Sequence, residues 1–176
     1  HYGRGGLLWK EQLQIAMRSV IRFGRLPFLE TFLYSLTDDE RKIVELSTPR
    51  PLPEALDFYW GAKHWPYEEN NTTLPTPEDI LEIVLYLIRH DISTRCVPDS
   101  GRTMLHWAVL KECNKAVVLL LEKGLDPYAV DELGMTPIDY SYTSDSAEVR
   151  DIFSEFPAPS PQTSEDRGRS SNNRLW

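Results

Sequence analysis

The chain has 176 residues, 41% of them hydrophobic, and a formal net charge of −8. That is enough for one domain with a sizeable core and an appendage. No run of about 18 apolar residues is present to span a bilayer, and the acidic balance argues against general nucleic-acid binding, which needs a basic footprint.

Cys96 and Cys113 are too few for a secreted disulfide framework and too far apart for a CxxC-type zinc site, which points to a reducing intracellular compartment, cytoplasmic or nuclear. The opening His-Tyr-Gly reads as an excised fragment. Gly3-Arg4-Gly5-Gly6 follows no strand and leads to no Lys-Ser/Thr pair, so it is a flexible terminus rather than a phosphate loop.

From Leu7 to Phe23, Trp9, Leu13, Ala16, Met17 and Val20 recur at three- and four-residue spacing and share one helical face, with Arg18, Arg22 and Arg25 opposite. These arginines, with Arg4 and Lys10, read as a solvated basic face; a phosphate or acidic-peptide site is the alternative. Gly24 breaks that helix, and Leu26–Leu36 forms a second. Thr37 caps a third through Leu46. Prolines over 47–53 end it, and Pro53 opens a fourth helix to Lys63.

A long polar loop runs between Trp65 and Pro77. It contains two overlapping sequons over Asn70–Thr73, which are more simply chance tripeptides than glycosylation sites. Thr76 and Pro77 then start a helix, "PEDILEIVLYLIRH", apolar around more than half its circumference and therefore packed on several sides. After Phe156 the chain is proline- and serine-rich and is expected to be a disordered tail over 157–176, with Leu175-Trp176 as its only candidate docking motif.

A period runs through the middle of the chain. Gly101 and Gly134, Thr103 and Thr136, Leu105 and Ile138, and Ala108 and Ser141 each lie 33 residues apart. The same shift lays Val84, Leu85, Leu87 and Ile88 on Val117, Val118, Leu120 and Leu121.

With a turn and two helices per unit, this period resembles the ankyrin-repeat family. The fullest unit places Gly101 and Thr103 at the hairpin, Leu105-His106-Trp107-Ala108 in the first helix, Val117–Leu121 in the second, and Gly124 at its end. The next unit keeps Gly134, Thr136, Pro137 and Ile138 but has Asp139 for the usual His and Ser141 for Ala, as suits a terminal repeat. The preceding unit has Asp91 in place of the helix-ending Gly, and its first helix is either missing or displaced to Pro53–Lys63.

The resemblance covers roughly residues 76–156. It implies an all-α, ankyrin-type solenoid with short β-turn or hairpin loops. The expected organisation is an N-terminal helical cap over 1–52, repeats over 53–156 with a degenerate first unit, and the tail. Two and a half repeats need a neighbour to bury their open face, which assigns that role to the N-terminal helices.

The resemblance also makes His106 structural, since in the family the Thr and His of this motif tie hairpin to helix. Cys96, Cys113, His90 and His106 include no closely spaced ligand pair, so neither a metal nor any other cofactor is expected. What remains is surface. Position in the family assigns a concave partner-binding face to Asp99, Ser100, Arg102, Trp107, Leu110 and Lys111 in one repeat. Glu132, Leu133, Met135, Tyr140, Tyr142 and Thr143 match them in the next, unless Trp107 and Tyr140 pack between repeats instead.

The implied function is a non-catalytic protein-interaction module whose partner is another protein carrying basic and apolar contact groups, with neither nucleic acid nor membrane involved. One alternative makes the chain part of a larger regulatory or receptor protein whose activity lies in other sequence. Another makes it a small enzyme on the N-terminal helices, for which a cleft holding His64 and Glu68 would be required.

Overall fold

The structure is a computed structural model and describes residues 7–45, 50–64, 74–92, 100–143 and 147–156. Among these residues lie nine α-helices and no strand. They are α1 (Leu7–Arg22), α2 (Leu26–Ser35), α3 (Asp38–Glu45), α4 (Pro51–His64), α5 (Pro77–Arg89), α6 (Met104–Leu110), α7 (Asn114–Glu122), α8 (Pro137–Thr143) and α9 (Ala147–Ser154). The all-helical class and ankyrin-type helical repeat are as the period implies. The terminal glycine run, the sequons, Cys96, Asp99, Glu68 and the tail with Leu175-Trp176 lie outside the described residues.

α4, α6 and α8 form one row, each touching the next, and α5, α7 and α9 form a second. The rows pack pairwise, α4 on α5, α6 on α7 and α8 on α9. Burial explains the pairing. α7 turns Ala116, Val117, Leu120 and Leu121 inward at helical spacing, while α6 buries Met104, Leu105, Ala108 and Val109 in only two turns. Ile83, Leu87, Leu105 and Leu120 have no exposed surface, and each such burial is worth about 1.5–3 kcal/mol over the exposed state. α5 is the innermost helix, meeting α1, α2, α4 and α7.

Asp91 stands where the repeat pattern has glycine, yet the helix ends in the same way. Asp91 has φ +58°, as Gly124 has φ +82° at the end of α7. The Ile92 and Leu125 N–H groups then bond back to the Leu87 and Leu120 carbonyls at 2.9 and 3.1 Å. Aspartate is among the few side chains that enter the left-handed region at modest cost. Lys123 Nζ joins the two helix ends, 2.7 Å from Asp91 Oδ1 and 3.3 Å from the Arg89 carbonyl.

At the N-terminus, α1 packs on α2, α3, α4 and α5 and buries Leu13, Met17 and Ile21. Ile21 is fully buried although the sequence pattern passed over it, whereas Val20 is only partly covered. α4 begins at Pro51, two residues before the expected Pro53, because a first helical turn needs no intrahelical N–H donor and so admits both prolines. Arg18, Arg22 and Arg25 of the arginine stripe are all exposed, and Arg18 Nε also reaches Oε1 of Glu54 on α4 at 2.7 Å.

Candidate functional site

The repeats are joined by a polar network built on Asp131, a buried residue of the hairpin loop between α7 and α8. Its Oδ1 accepts the Leu133 and Met135 N–H groups at 2.9 and 3.0 Å and so shapes the loop. Its Oδ2 accepts the Tyr140 hydroxyl at 2.7 Å and Arg102 Nε at 3.3 Å. Arg102 Nη2 donates to the Tyr140 oxygen at 2.9 Å, closing a triangle across two repeats. Burial acts to raise the Asp131 pKa, but the hydrogen bonds, that of Tyr140 foremost, outweigh it and hold the carboxyl down at about 2. The Glu132 N–H bonds to the Ser100 carbonyl at 3.2 Å, linking neighbouring loop tips.

His106 is fully buried beside this network. Its Nδ1 accepts the Thr103 N–H at 3.0 Å and lies 2.9 Å from the Thr103 hydroxyl, so the proton must sit on Nε2. Nε2 then donates to the Met135 carbonyl at 3.1 Å in the next repeat. Burial lowers its pKa, which keeps the ring neutral at physiological pH. With both nitrogens committed, His106 has no free position for proton transfer, and the geometry gives it the structural role the repeat motif implies. Asp139, its counterpart in the last repeat, accepts the Thr136 N–H at 2.8 Å and caps its own helix without reaching onward.

On the row of α4, α6 and α8, side chains from α4 and α6 meet across a shallow aromatic and charged surface. Lys111 Nζ is 2.7 Å from Asp57 Oδ1, 5.2 Å from the Trp60 ring centre and 5.5 Å from that of Trp107. His64 stacks on Trp60 with centroids 4.5 Å apart, and its Nδ1 donates to the Trp60 carbonyl at 2.9 Å. Lys63 Nζ approaches Glu112 Oε2 at 3.4 Å. These contacts lock two large aromatic rings in place, and Trp107 Nε1 is buried with no hydrogen-bond partner among the described residues.

The residues expected on the binding face therefore separate into groups. Leu133 and Tyr142 are exposed, at 74% and 71%, and Glu132 and Thr143 are also exposed. Trp107, Leu110, Lys111, Ser100 and Met135 are half-buried along the same row or its loops. Tyr140 is buried between repeats and Arg102 is committed to Asp131, so these two hold the stack together. Asp99 lies outside the described residues.

The sequence reading passed over Asp57, Trp60 and Asp131. Asp57, Trp60 and His64 have the three- and four-residue spacing of one helix face, a signal available in "DFYWGAKH". Cys113 caps the start of α7, fully buried, with its thiol pushed up to about 11 by burial, which makes it inert. Among the described residues no group of three or more His, Cys, Asp or Glu side chains could hold a metal ion. No helix of these residues is long and apolar enough to cross a membrane.

No curated protein matches the chain. A family model described as ankyrin repeats (many copies) matches residues 105–146, which run from the first turn of α6 through the Asp131 loop and past α8. The helix pairs, the left-handed helix ends and the Thr103–His106 tie agree with that match to ankyrin repeats over this segment.

Proposed function

We propose that this chain is a non-catalytic interaction module that binds a partner protein along the row of α4, α6 and α8 and the adjoining loop tips. Ankyrin repeats are generally protein–protein interaction modules and typically lack enzymatic activity. The observation that carries the reading is the preformed surface around Trp60, Trp107 and Lys111, with exposed Tyr142 on α8 and exposed Leu133 in the loop before it. Fixed aromatic rings are the residue type on which binding energy concentrates, and little ordering entropy remains to be lost. In this reading α4 and α5 form the degenerate first repeat of a stack over 53–156, capped by 1–52. The partner's contact groups are apolar and basic, matching the aromatic rings and the overall charge of −8. The expected setting is intracellular.

The test is affinity capture from source-cell extract with the full chain and a Trp60→Ala, Leu133→Ala, Tyr142→Ala variant. These positions avoid Arg102 and Tyr140, whose loss would disturb the stack itself. Loss of a specific protein band at unchanged helical circular dichroism supports the row of α4, α6 and α8 as the binding face. Retention of every band rejects it.

A further inference from the structure

Glu54 lies on α4, 7% exposed, on the side that meets α1. Its Oε1 accepts Arg18 Nε at 2.7 Å, whereas its Oε2 is buried and has no hydrogen-bond partner among the described residues. A buried carboxylate oxygen without a donor is costly, and the cost is relieved when a donor arrives. A cavity of about 200 Å³ adjoins this residue, lined by Ile15, Arg18, Ser19, Arg22, Glu54 and Phe58.

The lining selects the ligand by its charge. Two guanidinium groups and one carboxylate surround the space, so a simple cation adds to a positive surplus and a simple anion meets Glu54. A small molecule carrying both charges on neighbouring atoms satisfies every group. Its ammonium N–H donates to Glu54 Oε2 and its carboxylate accepts from Arg22, while Ile15 and Phe58 supply apolar walls for a side chain. We propose that the cleft between α1 and α4 is a binding site for a free α-amino acid with an apolar side chain. Binding therefore requires the cleft to widen so that the ammonium reaches the buried Oε2. Arg18, with its side chain 56% exposed, and Arg22, also exposed, are long groups able to shift. The site is separate from the surface around Trp60, Trp107 and Lys111, and its test does not depend on that reading.

The experiment is a ¹H–¹⁵N correlation titration of the full chain with L-leucine and L-phenylalanine to about 10 mM, beside their amides and N-acetyl forms. The amide lacks the carboxylate and the N-acetyl form lacks the ammonium. Saturable shifts at residues 15–22 and 54–58 with the amino acids are expected, with both derivatives at least about tenfold weaker. Glu54→Gln is expected to abolish the shifts and Arg22→Ala to weaken them by a similar factor. If Glu54→Gln fails to fold, Arg22→Ala, at an exposed side chain, decides the matter. The proposal is overturned by an absence of saturable shifts, by equal binding of the derivatives, or by Arg22→Ala binding unchanged. It is also overturned if Arg22→Ala destabilises the ligand-free chain, since Arg22 would then itself be the donor to Oε2.

Discussion

At the scale of single residues, the chemistry of this protein is spent on joining repeats. Asp131 accepts four hydrogen bonds, from the Leu133 and Met135 N–H groups, Tyr140 and Arg102, and its acidity follows from them. Its folded pKa of about 2 lies below the ordinary carboxyl value of 3.8. The unfolded chain therefore binds the proton more readily, and the stabilisation is complete above about pH 4 and lost as pH falls towards 2. Tyr140→Phe removes the strongest donor. Chemical denaturation should find this variant about 2 kcal/mol less stable at pH 7, the scale of a buried hydrogen bond to a charged acceptor. Its stability should also fall less steeply than wild type between pH 4 and 2. From sequence Tyr140 fits either packing between repeats or facing a partner, because position in a repeat unit does not say which way a phenol points. The deciding fact is that Asp131, 9 residues earlier, needs a donor.

At the scale of elements, the left-handed turns set where helices stop. Gly124 has φ +82° and nothing within 4 Å of where a Cβ would stand, so Gly124→Ala carries only the backbone strain, roughly 1–2 kcal/mol. Gly24 has φ +62° and its added Cβ would fall 2.1 Å from Pro75 Cβ, so Gly24→Ala must also push α1 and α2 from the segment before α5. Thermal unfolding should rank wild type above Gly124→Ala and Gly124→Ala above Gly24→Ala; equal midpoints for the two variants would contradict the packing of Gly24 on Pro75. The 33-residue shift made α5, α6, α7 and α8 legible because apolar spacing and the two turn glycines repeat together. Asp91 looked like a departure only because the pattern is written in residue types. The constraint is a positive φ, and aspartate meets it. Trp60 was not legible in the same way. Lys111, across the face from it, stands at the end of α6, some fifty residues on, and no local period links the two.

At the scale of the whole molecule, two parallel rows of helices divide the labour. α5 and α7 carry much of the buried aliphatic core, and the N-terminal helices cover the open side of α5 and α4. That leaves the row of α4, α6 and α8 to carry rings, charges and loop tips. The resemblance marked the repeat and an expected binding face, but it could not separate residues that hold the stack together, such as Arg102, from exposed ones, such as Tyr142. The separation depends on tertiary hydrogen bonding. The most direct measurement of the central claim is site-specific photo-crosslinking in source-cell extract. A benzophenone side chain replaces Tyr142 on the row of α4, α6 and α8 in one sample and Leu119 on the row of α5, α7 and α9 in another. A discrete crosslinked partner is expected from position 142 and none from position 119. Crosslinking from position 119 alone would contradict binding along the row of α4, α6 and α8.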